Sequence, residues 1–334
     1  TVVQPTLKDI ALDLGVSTAT VSNALRGTGR VSPELRARIR ERAERAGYRA
    51  HQPARALRTG RTGMIGLVVP DLANPLFPRI AQAVEVAATA AGFGVLIADS
   101  RGDTAAQTAA LNRLVFLGAE GIVVVPRRGT IVREMPCPLS VIDTPSSPIN
   151  TASADHWQGG QRAAEALVAL GHRRLLLIGG HRDSTVQNDR IGGMRAAVPP
   201  DVTAATHWMQ DGDPKVVRRV RDGVTGIIAT FDLAALKAMT DLQRAGFTVP
   251  RDASVIGFDN MLAGSVVMPG LTTLAADARQ IAEAAVAALS LQIEGQAPPE
   301  PVAVPMALIE RGSTAPPPRG PQQADHSQQE GPPP

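Results

Sequence analysis

The sequence of 334 residues predicts a small all-α domain followed by a larger α/β core built on parallel sheets. Residues 1–50 contain short helical patterns separated by capping residues and glycines. From Met64 to about Gly312, short runs of Val, Ile and Leu alternate with longer Ala-rich helical patterns, which is typical of βαβ units with buried parallel strands. Charge is divided in the same way: residues 1–61 hold 12 Lys or Arg against 5 Asp or Glu, a net +7, and the remainder has a net −4.

The composition limits the kind of protein. A chain with 44% hydrophobic and 19% charged residues is globular. Its apolar runs are far shorter than the roughly 20 residues of a membrane span, so we expect no membrane partner. One cysteine, Cys137, excludes an internal disulfide and a cysteine-based zinc cluster, and the six histidines lack ligand spacing. We therefore expect no metal and a reducing cytoplasm. No secretory signal is visible, although a processed chain would look the same.

The first two helices are predicted to form a helix-turn-helix. Thr6 caps the first helix, and Asp9 stands three positions later, as in a capping box. Ala11 is small enough for a second helix to cross it, Gly15 supplies the turn, and Ser17 caps the second helix. An unrelated helical bundle would share the glycine turn, but it would seldom carry the +7 charge as well.

A third helix is predicted from Pro33, after the cap Ser32, through Ala46. If the second helix lies in the major groove, its exposed positions face bases and the positions around its start face phosphates. The predicted base-facing residues are Thr18, Ala19 and Asn23, and the phosphate-facing residues are Ser17, Thr20 and Ser22. Ser32 is also assigned to the DNA-binding residues. The alternative is a basic helix that is merely solvated.

The core is predicted to contain seven strands that alternate with helices. The strands are Met64–Val69, Val95–Asp99, Gly121–Val125, Leu139–Asp143, Arg174–Gly179, Gly226–Thr230 and Ser254–Phe258, and the helices are 78–91, 104–117, 158–170, 214–222, 233–245 and 279–293. Ligands of parallel sheets bind beyond the carboxyl ends of the strands. Carboxylates follow five of these strands, namely Asp71, Asp99, Asp143, Asp232 and Asp259. Together they favour a ligand rich in hydroxyls or bearing an amine, although each one alone could equally be a cap or turn residue.

Several motifs, in order along the chain, resemble the LacI/GalR family of bacterial repressors. They begin at Thr6 (TLKDIA), Gly15 (GVSTATVS), Arg30 (RVSP), Ala56 (ALRTGRTG), Val69 (VPDLANPLF), Leu170 (LGHRR), Ser254 (SVIGFD), Leu271 (LTT) and Arg311 (RGS). The resemblance implies a cytoplasmic, nucleoid-associated repressor that binds a palindromic DNA operator as a homodimer. It also implies that a small-molecule effector, a sugar or a related polar metabolite, controls its affinity for DNA.

The same resemblance implies a domain organisation. Residues 1–50 would form the helix-turn-helix domain and 51–61 a hinge helix and linker. In the hinge, Leu57 would be a wedge in the minor groove and Arg55 would contact the groove rim or phosphates, while Pro53 is a departure from the pattern. The core, 62–312, would resemble periplasmic sugar-binding proteins. Its first lobe would comprise 62–155 and 271–293, and its second lobe 156–270 and 298–312. Residues 313–334 would form a disordered tail rich in Pro and Gln.

Effector-binding residues are also implied by the resemblance. The first lobe would supply Asp71, Asn74, Phe77 and Asp143, and the second lobe Arg190 and Asp259, with Trp157 a second candidate beside Phe77 for covering a sugar face. An Arg fork with carboxylate acceptors suits vicinal hydroxyls. Phe77 at this spacing could instead belong to the core. The chain has Phe231 and Asp232 where the family has an Asn-Asp pair, so an aromatic ring replaces a polar contact.

Two other classes of protein, a solute binder and an enzyme, agree less well with the sequence. A transport-type solute binder would be a monomer, and it would leave the basic module without a purpose. An enzyme is not expected, and neither is a cofactor, because the chain has no Gly-x-Ser-x-Gly elbow, P-loop or HExxH helix. Gly92-Phe-Gly94 precedes a strand instead of opening a helix, which is contrary to a dinucleotide fingerprint.

Overall fold

The computed structural model describes residues 5–46, 61–127, 130 and 135–318. The chain divides into two compact units, Thr1–Thr62 and Gly63–Pro334. Arg55, Leu57 and the predicted hinge helix that contains them lie outside the described residues, as does the tail beyond residue 318.

The smaller unit is a helix-turn-helix followed by a third helix, as predicted. Its helices are α1 (Leu7–Leu14), α2 (Thr18–Arg26) and α3 (Pro33–Arg45). The Thr6–Asp9 capping box is present, because Thr6 N donates to Asp9 Oδ2 over 2.7 Å and Asp9 N donates to Thr6 Oγ1 over 3.3 Å. Gly15 ends α1 at a φ of +66°, which glycine adopts without steric cost. The core draws on all three helices through Ile10, Ala11, Val21, Ala24, Ile39 and Ala43.

The larger unit is built from strands that lie in two main sheets. The strands are β1 (Met64–Val69), β2 (Gly94–Asp99), β3 (Ile122–Val124), β4 (Leu139–Val141), β5 (Ala152–Ala154), β6 (Arg174–Gly179), β7 (Thr203–Trp208), β8 (Gly226–Ala229), β9 (Ser254–Phe258), β10 (Thr272–Ala275), β11 (Val302–Val304) and β12 (Ala307–Ile309). The first sheet has the order β2-β1-β3-β4 and is parallel. The second has the order β12-β10-β9-β8-β6-β7 and is parallel except for β12.

Helices cover both faces of each sheet. They are α4 (Leu76–Ala90), α5 (Thr104–Phe116), α6 (His156–Ala169), α7 (Thr185–Ala196), α8 (Val216–Arg221), α9 (Asp232–Arg244), α10 (Leu262–Val266) and α11 (Ala278–Ile293). In the first lobe, which contains the first sheet, α4 and α11 pack on one face and α5 on the other. In the second lobe, α8 and α9 pack on one face and α6 and α7 on the other. The predicted fold class, two doubly wound α/β lobes after a small helical domain, is therefore confirmed.

The predicted lobe boundaries are wrong at two places. Residues 271–293 were assigned to the first lobe, but β10 pairs with β9, so 272–275 belong to the second. Residues 298–312 were assigned to the second lobe, but β11 pairs with β5, which adjoins β4 through a bridge between Ile142 and Ala152, so 302–304 belong to the first. The pairing of short strands decides these boundaries, and strands of three or four residues carry little pattern in the sequence.

The structure also contains elements that the sequence pattern did not predict. Helix α7 has a polar sequence with two adjacent glycines, and β7 is an edge strand whose residues are mostly half-buried, so neither shows a strong hydrophobic period. The predicted disordered tail begins with ordered residues, of which Ser313 is buried. Ser313 Oγ donates to Val255 O over 2.6 Å and accepts from Thr272 N over 2.8 Å, which fixes the chain against β9 and β10.

Helices α6 and α7 cross in direct backbone contact. A Cβ atom at Gly160 would collide with the carbonyl oxygen of Arg190, and one at Gly193 would collide with the carbonyl oxygen of Trp157. Both collisions are with backbone atoms, so neither can be relieved by a side-chain rotation. Only glycine allows this close approach, and the crossing fixes the position of Arg190 relative to the start of α6.

Gly160→Ala tests this crossing, with Gly159→Ala as a matched control on the same helix. We expect Gly160→Ala to lower the free energy of unfolding by about 3 kcal/mol, because two helix backbones must separate. Gly159→Ala should cost about 1 kcal/mol, because its Cβ meets the flexible side chain of Met306. Both tryptophans, Trp157 and Trp208, belong to the larger unit, so urea unfolding followed by their fluorescence measures the effect. Equal costs for the two variants would contradict the backbone contact.

Candidate functional site

The predicted DNA-binding residues lie at the start of α2 and around it. Ser17 Oγ accepts from Thr20 N over 3.0 Å, and Thr18 and Ala19 are exposed in the first turn. Asn23 is half-buried and its side chain packs against Gly29. A Cβ atom added at Gly29 would come within 2.9 Å of Asn23 Nδ2. The exposed start of a capped helix, with backbone N–H groups directed outward, is suited to contact phosphate and base edges.

The two other predicted residues of this surface differ in their roles. Ser22 is half-buried, like Asn23, and so it lies less far out than Thr18. Ser32 caps α3, because its Oγ accepts from Leu35 N over 3.3 Å. This contact gives Ser32 a structural role at the start of α3, beside any role in binding DNA.

A cavity of about 680 Å³ lies between the two lobes, at the carboxyl ends of their strands. This is the place where parallel sheets bind ligands, and the volume is that of a typical small-molecule site. Its lining includes seven of the nine predicted effector residues, namely Asp71, Asn74, Phe77, Asp143, Arg190, Phe231 and Asp259.

Arg190 is the central cation of the cavity. Its side chain is 6% exposed, and Nη2 lies 3.0 Å from Asp259 Oδ1. Nη1 donates to Thr230 O over 2.5 Å, and the guanidinium carbon lies 4.7 Å from the centre of the Phe258 ring. Contacts with described residues occupy three of the five N–H donors, because Nε donates to His156 Nδ1 over 3.3 Å. The fork is thus held rigidly beside a carboxylate.

His156 is a site residue that the sequence analysis missed. It is the first residue of α6, it is buried, and it lines the cavity beside Arg190. Burial first, and then the nearby Arg190 charge, lower the pKa of His156 well below its usual range. The imidazole is therefore neutral and can accept the hydrogen bond from Arg190. Its position directly after β5 would have pointed to the site if that strand had been predicted.

Asp259 stands on a twisted loop that a buried carboxylate holds in place. Asp259 and Asn260 have φ angles of +98° and +50°, in the left-handed region that favours glycine. Asp232 lies beneath them, where its Oδ2 accepts from Met261 N and its Oδ1 from Thr273 Oγ1, both over 2.6 Å. Asp232 is fully buried and is not among the residues that line the cavity, so the structure does not bring it together with the other predicted effector residues. It supports Asp259 from below.

Burial raises the pKa of Asp232 to about 6, although its hydrogen bonds to Thr273 and Met261 oppose the shift. The neighbouring Asp259 raises it further, and Arg190 lowers it. The carboxyl group of Asp232, which holds the loop that carries Asp259, therefore titrates at a pH of about 6.

The first lobe contributes acceptors on two strand ends. Asp71 Oδ1 accepts from Ala73 N over 2.9 Å, and Asn74 Oδ1 accepts from Leu76 N over 3.1 Å at the start of α4. Asp143 Oδ1 accepts from Thr185 Oγ1 of the second lobe over 2.9 Å, and burial raises the pKa of Asp143. Asp143 therefore both lines the cavity and joins the lobes.

Two other predicted positions lie outside the cavity. Trp157 is 45% exposed and its ring packs on Gly192 of α7, so the structure places it apart from the cavity lining that includes Phe77. It is next to His156 in sequence, but the helix turns the two side chains to different sides. Asp99 is the last residue of β2, and its Oδ1 accepts from Arg101 N. Because β2 is the edge strand of the first sheet, Asp99 lies away from the cavity and does not line it.

Gln187 is a further residue that the sequence analysis missed. It lines the cavity one turn before Arg190, and its Oε1 accepts from Gly180 N, His181 N and Thr230 Oγ1 over 2.5, 3.2 and 3.1 Å. These contacts tie the loop after β6 to the end of β8.

Within the described part of the chain, no group of three or more His, Cys, Asp or Glu could hold a metal ion. No described helix has the length and apolar character to cross a bilayer.

A helix-turn-helix unit and a two-lobed core whose cavity contains a buried ion pair define a DNA-binding regulator that responds to a ligand. Comparisons with known proteins agree. Residues 6–51 match the family "Bacterial regulatory proteins, lacI family", and residues 164–314 match "Periplasmic binding protein-like domain". The HTH-type transcriptional regulator DegA of Bacillus subtilis is 30% identical over 289 residues, 81% of this chain and 86% of DegA. The chain belongs to the LacI family of bacterial regulators.

Two further similarities extend over most of the chain. The HTH-type transcriptional repressor CytR of Escherichia coli K12 is 28% identical over 308 residues, 87% of this chain and 90% of CytR. The Lac repressor bound to ONPG in its repressed state has a TM-score of 0.81 and 25% identity, covering 93% of this chain and all of that one.

The raised pKa of Asp232 predicts a pH dependence of stability. The folded state binds the proton more tightly than the unfolded chain does, so this contribution is full below about pH 3.9 and is lost as the pH rises through about 6. From pH 5 to 7 we expect wild type to lose about 1 kcal/mol more unfolding free energy than Asp232→Asn, as measured by urea unfolding. From pH 7 to 8 the two proteins should change alike, which serves as the control. Parallel curves throughout would contradict the shift.

Proposed function

We propose that this LacI-family regulator is a repressor whose operator affinity is controlled by a hydroxyl-rich effector, a sugar or a related polar metabolite. The observation that carries the proposal is the buried Arg190–Asp259 pair at the floor of an interlobe cavity. A guanidinium fork and a carboxylate side by side offer donors and acceptors to neighbouring hydroxyls. Because the pair is neutral as a whole and His156 is uncharged, this end of the cavity suits an uncharged ligand.

Aromatic side chains form another part of the cavity surface that would contact the ligand. Phe77 lines the cavity from α4 in the first lobe, and Phe231 lines it from the end of β8 in the second. Aromatic rings can cover the apolar face of a sugar ring while the carboxylates accept hydrogen bonds from its edge. With Asp71 and Asp143 on the first lobe and Arg190 on the second, a bound ligand would contact both lobes at once.

On the DNA side, we propose that α2 reads the major groove and that two copies of the chain bind the two half-sites of a palindrome. The predicted base contacts are Thr18, Ala19 and Asn23, and the phosphate contacts are Ser17, Thr20 and Ser22. In the hinge, Leu57 would enter the minor groove and Arg55 would contact its rim or phosphates. Such a regulator acts in the bacterial cytoplasm, on the nucleoid.

The two sites communicate only if the effector binds two states of the protein with different affinity. A ligand that bridges the lobes would favour one lobe arrangement, and the hinge would be more ordered in one arrangement than in the other. We infer that the cleft binds its ligand without transforming it, since the relatives are transcriptional regulators.

The DNA-binding proposal predicts a steep salt dependence. An operator is first selected from random-sequence duplexes, and affinity is then measured by fluorescence anisotropy. We expect the affinity to fall roughly a thousandfold between about 50 and 200 mM salt, because several phosphate contacts release counterions.

Leu57→Ala should weaken operator binding about tenfold, because a wedge acts only on a bent, specific complex. It should leave binding to unselected DNA nearly unchanged. Salt-independent binding would refute the proposal, and an unchanged operator affinity would refute the wedge.

The effector proposal is tested by a thermal-shift screen of sugars, polyols and nucleosides. A ligand that binds only the folded state raises the melting temperature. Arg190→Lys should abolish the shift given by any hit, because lysine keeps the charge but loses the planar fork. The matched control is Arg182→Lys, an exposed arginine over the ring of Trp208 and outside the cavity lining, which should keep the full shift. A full shift with Arg190→Lys would exclude Arg190 as an effector ligand.

A further inference from the structure

The loop that carries Asp259 is held in a costly conformation from several directions. Two successive non-glycine residues, Asp259 and Asn260, have positive φ angles, and such angles persist only where the surroundings enforce them. Asn260 N donates to Thr273 Oγ1 over 3.3 Å, and Met261 N donates to Asp232 Oδ2 over 2.6 Å. Arg311, near the end of the described chain, donates from Nη2 to Asn260 Oδ1 over 2.5 Å. All these groups belong to the second lobe.

One contact with this loop comes from the first lobe. Arg79 of α4 donates from Nη1 to two successive carbonyl oxygens, that of Asp259 over 2.8 Å and that of Asn260 over 2.9 Å. The twisted backbone presents both oxygens to the same donor. Hydrogen bonds from a charged donor are stronger than those from a neutral one, so the pair of contacts favours a closed arrangement of the lobes.

Three further hydrogen bonds between the lobes are accepted by side-chain carboxylates. Asp143 accepts from Thr185 over 2.9 Å, and Asp189 accepts from Ser146 over 2.7 Å and from Thr144. Because Asp143 also lines the cavity, a ligand that binds its carboxylate competes with the contact to Thr185. Arg79 donates to the backbone carbonyl oxygens of Asp259 and Asn260. A ligand can therefore bind the side-chain carboxylate of Asp259 without displacing Arg79.

We propose that Arg79 is a positioning residue that clamps the first lobe onto the Asp259–Met261 loop, with or without a ligand in the cavity. This inference rests on the proposed function, which identifies the cavity as the effector site. Effector contacts at Asp259 are then transmitted to α4 through the backbone of the loop. Arg79 also lines the cavity, but the two hydrogen bonds described above are made to the loop backbone. Its loss therefore removes these contacts between α4 and the loop and opens the cleft, while Arg190 keeps its own hydrogen bonds within the second lobe.

Hydrogen–deuterium exchange of the full chain, without effector or DNA, tests the clamp. Peptides that contain Asn260 and Met261, and peptides from 71–77 across the cleft, should exchange about fivefold faster in Arg79→Met, because the loop loses its two contacts with the first lobe. Arg79→Lys should restore part of the protection, since lysine can still donate to a carbonyl. Arg113→Met, an exposed arginine of α5 in the same lobe, is the matched control and should exchange as wild type does.

Two outcomes would overturn the clamp. Unchanged exchange at 71–77 and 259–261 in Arg79→Met would show that Arg79 does not hold the lobes. Faster exchange spread equally over the central strands β6 and β8 would show a general loss of stability instead of local opening. The measurement uses neither ligand nor DNA, so failure of the proposed function in the anisotropy or thermal-shift experiments would leave this result standing.

Discussion

The arrangement of the cleft depends on a buried ion pair, Arg190 with Asp259. Removing two charges from water is costly, and their attraction offsets that cost only when geometry and further hydrogen bonds are good. Here the carbonyl of Thr230, the neutral ring of His156 and the face of Phe258 supply those contacts. The same requirement makes the pair a rigid recognition element, because neither partner can leave without stranding a buried charge.

The ion pair in turn depends on two structural conditions. Helices α6 and α7 must cross closely enough to bring His156 and Arg190 together, and Gly160 and Gly193 make that approach possible. The loop after β9 must turn Asp259 back toward Arg190 through positive φ angles. Asp232 and Arg311 hold this loop from within the second lobe, and Arg79 reaches it from the first. The cleft is therefore tied to elements far from the ligand, which is what a regulator needs in order to transmit binding.

Sequence patterns predicted the helix-turn-helix, the seven strands of the βαβ repeat and three of the carboxylates that line the cavity, for a physical reason. Caps, glycine turns and continuous apolar runs act over a few residues, and the carboxyl end of a parallel strand is a known place for a ligand. Hence Asp71, Asp143 and Asp259 were found from strand ends. The resemblance to the LacI family added Asn74, Phe77 and Phe231, and also Arg190, which no strand end marks.

What the sequence could not determine rests on contacts between distant residues. His156, Gln187 and Arg79 are ordinary in the sequence. They gain their roles from partners that stand 6 to 181 positions away, the shortest separation being that of Gln187 from His181 and the longest that of Arg79 from Asn260. Asp232 and Trp157 lie outside the cavity lining, because the fold buries the first and leaves the second on the surface. Local propensity therefore determined which elements form, and only the tertiary structure decided which side chains share a cavity, since burial and lobe pairing are non-local.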